Sequence, residues 1–253
     1  MAERGSPGID LERLASGYGY RAAGTGDRNR AEIACRAANI GVGDLAVDVG
    51  GGRGAHALVF AGSGATAVVV DRSPAMAAHS ASVGLIAVVA DGERLPLRDQ
   101  IAGLVYLHLS IHHGDPESML REATRIVRPG GVVWVWTLAP SHVRASFLTR
   151  WFPSVGPIDE RRFPDPAELA RIMIGTGLEP LASMAEEEQI VRTAGSWVDA
   201  VRSGFVSTLQ LISPEELEEG LARFHEAHPN PSEEISYSLA YRSVSGFRPS
   251  LVS

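Results

Sequence analysis

From about residue 45 to 140 the chain alternates short apolar runs with segments of helical spacing. LAVDVG (45–50) is an apolar run ending in Asp and Gly, as a buried strand would. GAHALVFAGSG (54–64) has helical spacing and stops at glycine. TAVVVD (66–71) and LIAVVAD (85–91) are further strands, each ending in an acid. Between them SPAMAAHSAS (73–82) opens with Ser-Pro, a helix-start signal. IAGLVYLHLS (101–110) predicts a fourth strand, PESMLREATRIVRPGG (116–131) a helix with a proline-glycine stop, and VVWVWTL (132–138) a fifth strand. Strands that are apolar without alternation and separated by helices indicate a parallel sheet covered on both faces. The expected fold class is therefore α/β, a doubly wound sheet.

The flanks are less regular. Residues 9–39 read as two helices around SGYGYRAAGTGD, giving an N-terminal helical lid over residues 1–40. After the fifth strand the pattern predicts a helix at about 165–175, a strand near 178–185, helices near 194–204 and 214–228, and a last strand, ISYSLAYRS. The helices around Trp197 and Glu215 break the alternation. They read as a small helical cap at about 190–230, inserted between the last two strands of a domain spanning 41–253.

Composition narrows the chemistry. All 23 basic residues are arginine. Without lysine there is no P-loop, no Schiff-base lysine and no Tyr-x-x-x-Lys pair. A formal net charge of −7 disfavours a general nucleic-acid binder. No apolar run reaches membrane-spanning length, and MAERGSPGIDLERL is no secretory signal, so a cytoplasmic protein without a membrane partner is expected. Cys35, the single cysteine, rules out an internal disulfide and reads as a small apolar core residue.

The chemistry-bearing residues gather at strand ends, where ligands sit in such folds. Gly50, Gly52 and Gly54 follow the first strand, where glycine lets backbone approach a ligand. Asp71 ends the second strand, and a carboxylate there can accept both hydroxyls of a ribose. Asp91, followed by Gly92, ends the third and can accept from an adenine amino group. The glycines also satisfy a dinucleotide fingerprint, so an NAD-dependent oxidoreductase is one alternative. Asp48, two residues before Gly50, separates the two: it can hold the ammonium of S-adenosylmethionine, whereas a pyrophosphate would be repelled.

In these segments, residues 45–138 resemble class I S-adenosylmethionine-dependent methyltransferases, particularly the ubiquinone/menaquinone-methyltransferase-like group. VDVGGGRG matches the family's glycine loop at Asp48, Gly50, Gly52 and Gly54. VVVDRSPAM matches its ribose segment, with Asp71, Arg72 and Met76, and ADGERLPLRD its adenine loop, with Asp91 and Gly92. The resemblance implies a Rossmann-like methyltransferase fold of seven strands, mostly parallel with the last antiparallel. It also implies S-adenosyl-L-methionine as cofactor, with His108 and Tyr20 near it, and a small-molecule methyl acceptor.

Methyl transfer from a sulfonium is an in-line displacement that chiefly needs alignment. A hydroxyl acceptor also needs a base. LHLSIHHGDP supplies His112 and His113 at the strand end nearest the methyl, and His113 is the favoured base. The plainer alternative is that the first histidine packs and the second joins Asp115 in capping a helix. His142, after the fifth strand, is a further candidate. Tyr18, Trp151, Trp197 and Phe205 are candidate substrate contacts, and Arg161-Arg162 could meet an anionic group. Asp115, His112 and His113 form only a weak metal set, and no required metal is expected. The expectation is thus a small-molecule O-methyltransferase using a histidine base. A nucleic-acid or protein methyltransferase and a non-catalytic cofactor-binding module stand as further alternatives, and a homodimer through the cap aromatics is left open.

Overall fold

The computed structural model of the chain describes residues 9–17, 19 and 25–250. Seven strands form one sheet: β1 (Leu45–Val49), β2 (Thr66–Asp71), β3 (Ile86–Val89), β4 (Ala102–His108), β5 (Val127–Leu138), β6 (Glu179–Thr193) and β7 (Glu234–Phe247). Their order across the sheet is β3-β2-β1-β4-β5-β7-β6. The first five are parallel, and β7 runs antiparallel between β5 and β6. The chain winds outward from β1 to β3, then crosses to β4 on the other side of β1. That switch point opens a crevice at the carboxyl ends of β1 and β4.

Helices cover both faces because the strand residues point alternately to either side. On one face Val47, Val49, Val105, Leu107, Val133 and Val135 meet Leu120 and Ile126 of α5 (Pro116–Ile126) and Leu169 of α8 (Pro166–Gly175). On the other, Ala46, Val69, Leu104, Tyr106 and Trp134 meet α2 (Thr25–Ala37) and α3 (Ala55–Gly62), chiefly through Ala31, Ala34 and Phe60. Cys35 is buried in this layer, as its apolar surroundings suggested. So α2 is part of the core, and only α1 (Leu11–Gly17) lies across the strand ends, against α4 (Pro74–Ser82) and α9 (Ala194–Ser203).

The third layer is the cap. Between β6 and β7 run α9, a short 3-10 turn at Ser207–Gln210 and α10 (Pro214–Ala227). They join α6 (Pro140–Arg144) and α7 (Val155–Arg162), two helices the pattern did not predict. Trp151, Phe152, Trp197, Phe205, Leu221 and Phe224 make the cap's own core, with the Trp197 and Phe224 rings stacked at 4.0 Å. The cap aromatics Trp151, Phe152, Trp197, Phe205 and Phe224 are thus buried within the cap.

Three boundaries depart from the expected pattern. The helix ends at Ile126 rather than at the glycines, because the residue before Pro129 is pushed out of helical conformation. VRPGG instead continues as β5, and the Gly130 amide donates to Arg248 O at 2.7 Å. β6 runs on to Thr193, with partly covered and exposed positions alternating, and β7 to Phe247, the two paired along their length. No helix among the described residues is long and apolar enough to cross a membrane.

Candidate active site

The glycine loop is held from below. Gly50 has φ +68° and donates to Val70 O at 2.7 Å, and a side chain there would strike Ser110 Cβ. Ser110 Oγ in turn donates to Val49 O at 2.7 Å, which ties the end of β1 to the loop after β4. The Gly52 amide donates to Asp71 Oδ2 at 2.8 Å, and Ser73 N to Asp71 Oδ1 at 2.9 Å. Each Asp71 oxygen therefore keeps acceptor capacity for a hydroxyl. Burial raises the Asp71 pKa, opposed by these two amides and by Arg72. Gly54 starts α3 and lies against Leu85 and Ser80, away from the cavity.

Around this loop lies one cavity of about 550 Å³. Gly50, Gly52, Asp71, Arg72, Met76, Asp91 and Gly92 line one end. Arg72 spans that end, donating to His113 O at 2.8 Å and reaching Asp91 Oδ2 at 3.4 Å. Glu12 of α1 accepts from Ser73 Oγ at 2.8 Å, which seats α1 at the Asp71 end. The cap and the last strands supply an apolar wall, Leu138, Phe147, Ile190, Trp197, Phe205 and Leu239, interrupted by Asp159, Glu188, Arg192 and Thr208. Between the two stand His108, His112, His113 and His142. Of the expected substrate residues, Trp197 and Phe205 line this wall. Trp151 is enclosed in the cap core instead, held by Phe224 and His228. Tyr18 and Tyr20 lie outside the described residues. Arg162, considered for an anionic substrate group, is buried and donates to Thr208 Oγ1 at 2.8 Å and Ser207 Oγ at 2.9 Å.

His112 stacks on Phe163 at 3.9 Å and makes a tilted contact with His113 at 4.1 Å. Asp115 caps α5 by itself, accepting from Ser118 N at 2.9 Å. His113 therefore takes no part in that cap's side-chain bond. Burial lowers the His142 pKa, with Glu187 opposing, which favours the neutral imidazole. Leu109, between β4 and the histidines, has φ +49°, a conformation rare outside glycine and frequent in ligand sites.

Asp48 is wholly buried beneath Gly51, where a side chain would come within 2.5 Å of Asp48 Cγ, and it lies under the loop rather than on the cavity wall. Burial first, and the Asp71 charge second, push its pKa up to about 8. The folded state then holds a proton that the unfolded chain releases near its ordinary value of about 4. Stability contributed by this proton falls as pH rises from about 4 to about 8. Asp48→Asn in the ligand-free protein is expected to gain on the parent as pH rises, by a margin on the order of a few kcal/mol at pH 9. Thermal melts of both at pH 5 and pH 9 check this, and equal differences at the two pH values would contradict it.

Sequence reasoning missed a polar cluster beside the histidines. Arg30 of α2 is fully buried and pairs with Asp27, Glu186 and Glu188 at 2.5, 2.5 and 2.9 Å. Its guanidinium lies 4.1 Å from the Tyr241 ring centre, and its Nε–H donates to His108 Nε2 at 3.1 Å. His108, expected near the cofactor, is thereby engaged by α2. His56, on the first turn of α3, is buried beside it, and burial lowers its pKa to about 4.

A family model described as a methyltransferase domain matches residues 47–135, the segment from β1 to β5. No curated protein matches the chain in sequence. Among solved structures, the YcgJ protein of Bacillus subtilis is similar with a TM-score of 0.61 and 16% identity, over 88% of this chain and 99% of that one. A geranyl diphosphate C-methyltransferase of Streptomyces coelicolor, solved with Mg²⁺, geranyl diphosphate and S-adenosyl-L-homocysteine, is similar at 0.53 and 15%, over 87% and 78%. A phosphoethanolamine N-methyltransferase of Haemonchus contortus is similar at 0.56 and 14%, over 88% and 52%.

Proposed function

From a chain that carries a class I S-adenosylmethionine-dependent methyltransferase domain, we propose transfer of the methyl group to a hydroxyl of a small, largely apolar acceptor. The observation that carries this reading is that strand-end carboxylates, a largely apolar cap wall and four histidines line one and the same cavity. S-adenosylmethionine fits the polar end: the residual acceptor capacity of Asp71 suits ribose hydroxyls, and Asp91 with Gly92 suits the adenine edge. The bound group supplies an activated methyl on sulfur. The chain's part is to fix the direction of approach, exclude water and remove the acceptor proton.

His113 is the proposed base. Its ring lines the cavity, while its carbonyl is held by Arg72 and its amide donates to Ser110 O at 2.9 Å. His142, neutral by burial, is the second candidate on the acceptor side. The concave cavity and the negative net charge favour a free small molecule over a nucleic acid or a protein surface. The similar structures named for carbon and nitrogen methylation mean that the fold does not itself select oxygen. The test is an acceptor screen with methyl-labelled S-adenosylmethionine over apolar phenols, apolar amines, prenyl compounds and tRNA. Label on phenols alone supports the reading. Label on amines, carbon acceptors or tRNA alone would replace it.

A further inference from the structure

Beside the histidines, side chains from three elements converge on one point: Asp27 of α2, His56 of α3 and His108 of β4. All three line the cavity, and their nearest ligand atoms lie within 4.8 Å of one another. Asp27 Oδ1 is 4.0 Å from His56 Nε2 and 3.7 Å from His108 Nε2. Ligands on a tetrahedral ion, at about 2.0–2.2 Å from it, stand roughly 3.2–3.6 Å apart. The two Asp27 distances need a contraction of a few tenths of an ångström, and the two imidazole nitrogens, within 4.8 Å of each other, must close by about an ångström at most.

We propose that Asp27, His56 and His108 bind a first-row transition dication of the Zn²⁺ type, with its remaining coordination open to the cavity. Two imidazoles and one carboxylate suit zinc, cobalt or nickel rather than magnesium or calcium, which take oxygen ligands. Three further observations support the site. His56, with a side chain 8% exposed, directs toward Asp27 an Nε2 that makes no hydrogen bond among the described residues. Asp48 Oδ2 stands 3.8 Å from its other nitrogen, Nδ1, beyond hydrogen-bond distance but on the side from which a carboxyl group orients a ligating ring once the two close up. The local charge also calls for a cation. Asp27, Glu186 and Glu188 surround the single guanidinium of Arg30, which leaves two formal negative charges beside the imidazoles.

Arg30 is the internal competitor, since its Nε–H donates to the His108 nitrogen that the ion would use. Arg30 also holds Asp27 Oδ1, the oxygen facing both imidazoles, so the ion displaces the bond to His108 and shares or displaces the one to Asp27, while Arg30 keeps Glu186 and Glu188. The inference does not rest on the proposed base or acceptor, and its test needs neither. The untagged, chelator-stripped chain would be titrated with Co²⁺ and followed by visible d–d absorption and metal analysis. One equivalent bound with tetrahedral bands is expected. It should be lost in His56→Gln and in His108→Gln, retained in His112→Gln, and weakened about 10–100-fold in Asp48→Asn. Circular dichroism and melting of each variant show whether it is folded, and a loss counts only in a folded variant. Two independent ligand variants keep the test decisive if one fails to fold. No uptake by the parent, uptake surviving both ligand variants, or a thiolate charge-transfer band from Cys35 would overturn the site.

Discussion

Replacing His113 by alanine is expected to lower turnover about 10²–10⁴-fold, the usual contribution of a general base, while S-adenosylhomocysteine binds nearly as well as to the parent. Arg72 bonds the His113 carbonyl and Ser110 O receives the His113 amide, so alanine keeps both. The ring is removed, and with it the tilted contact with His112 at 4.1 Å. The pH–rate profile should change with it: the acidic limb, where a histidine base takes up its proton, should flatten in the variant. A parallel fall in cofactor affinity would mean that the ring is structural. If His142→Ala flattens the limb and His113→Ala does not, the base lies on α6.

The second large effect is expected at Gly50. Alanine there must adopt φ near +68°, which costs about 1–3 kcal/mol for a residue with a Cβ. Its Cβ would also strike Ser110, whose hydroxyl anchors the loop to Val49 O. Relief requires moving either the glycine loop or the segment that leads to the histidines. Gly50→Ala should therefore melt below the parent by a margin matching that cost and lose at least about tenfold in S-adenosylhomocysteine affinity, the factor that 1.4 kcal/mol represents. Gly41, whose Cβ would meet nothing within 4 Å, is the control, and Gly41→Ala should stay within about 0.5 kcal/mol. A Gly50→Ala protein that melts and binds like the parent would contradict this account of the loop.

Which parts of this architecture could be read from the chain follows from how local their causes are. β1, β2, β4 and the core of β5 are buried on both faces, so their apolar runs stand out. Ser73 and Asp115 announce α4 and α5 because a cap acts within three residues of itself. The strand-end acids were legible for the same reason, since a glycine loop and an aspartate at a strand end are local signals. β6 was cut short because EEEQIVRT alternates exposed and partly covered positions and so lacks the apolar run that marks a buried strand. Two of its acids, Glu186 and Glu188, face Arg30, a contact across 156 and 158 residues that no local pattern encodes. Arg30 shows the same limit from the other side: a charged residue on a helix reads as exposed until its partners are known. His56 was the nearest miss. It directly follows the glycine loop and shares the sheet-facing side of its helix with Ala57 and Phe60, yet its polar neighbours Asp48, Asp27 and His108 come from three other elements. Asp48 was placed correctly at the strand end, but the side on which its carboxylate points depends on the register with Val69 and Tyr106.

The central claim is that the strand ends after β1, β2 and β3 form an adenosyl site. Calorimetric titration of the purified chain with S-adenosylmethionine, S-adenosylhomocysteine and NAD, with Asp71→Ala alongside, tests it most directly. The account predicts saturable binding of both adenosyl ligands, loss of that binding in the variant and no binding of NAD. Binding of NAD in preference to the adenosyl ligands, or adenosyl binding unchanged in Asp71→Ala, would contradict it.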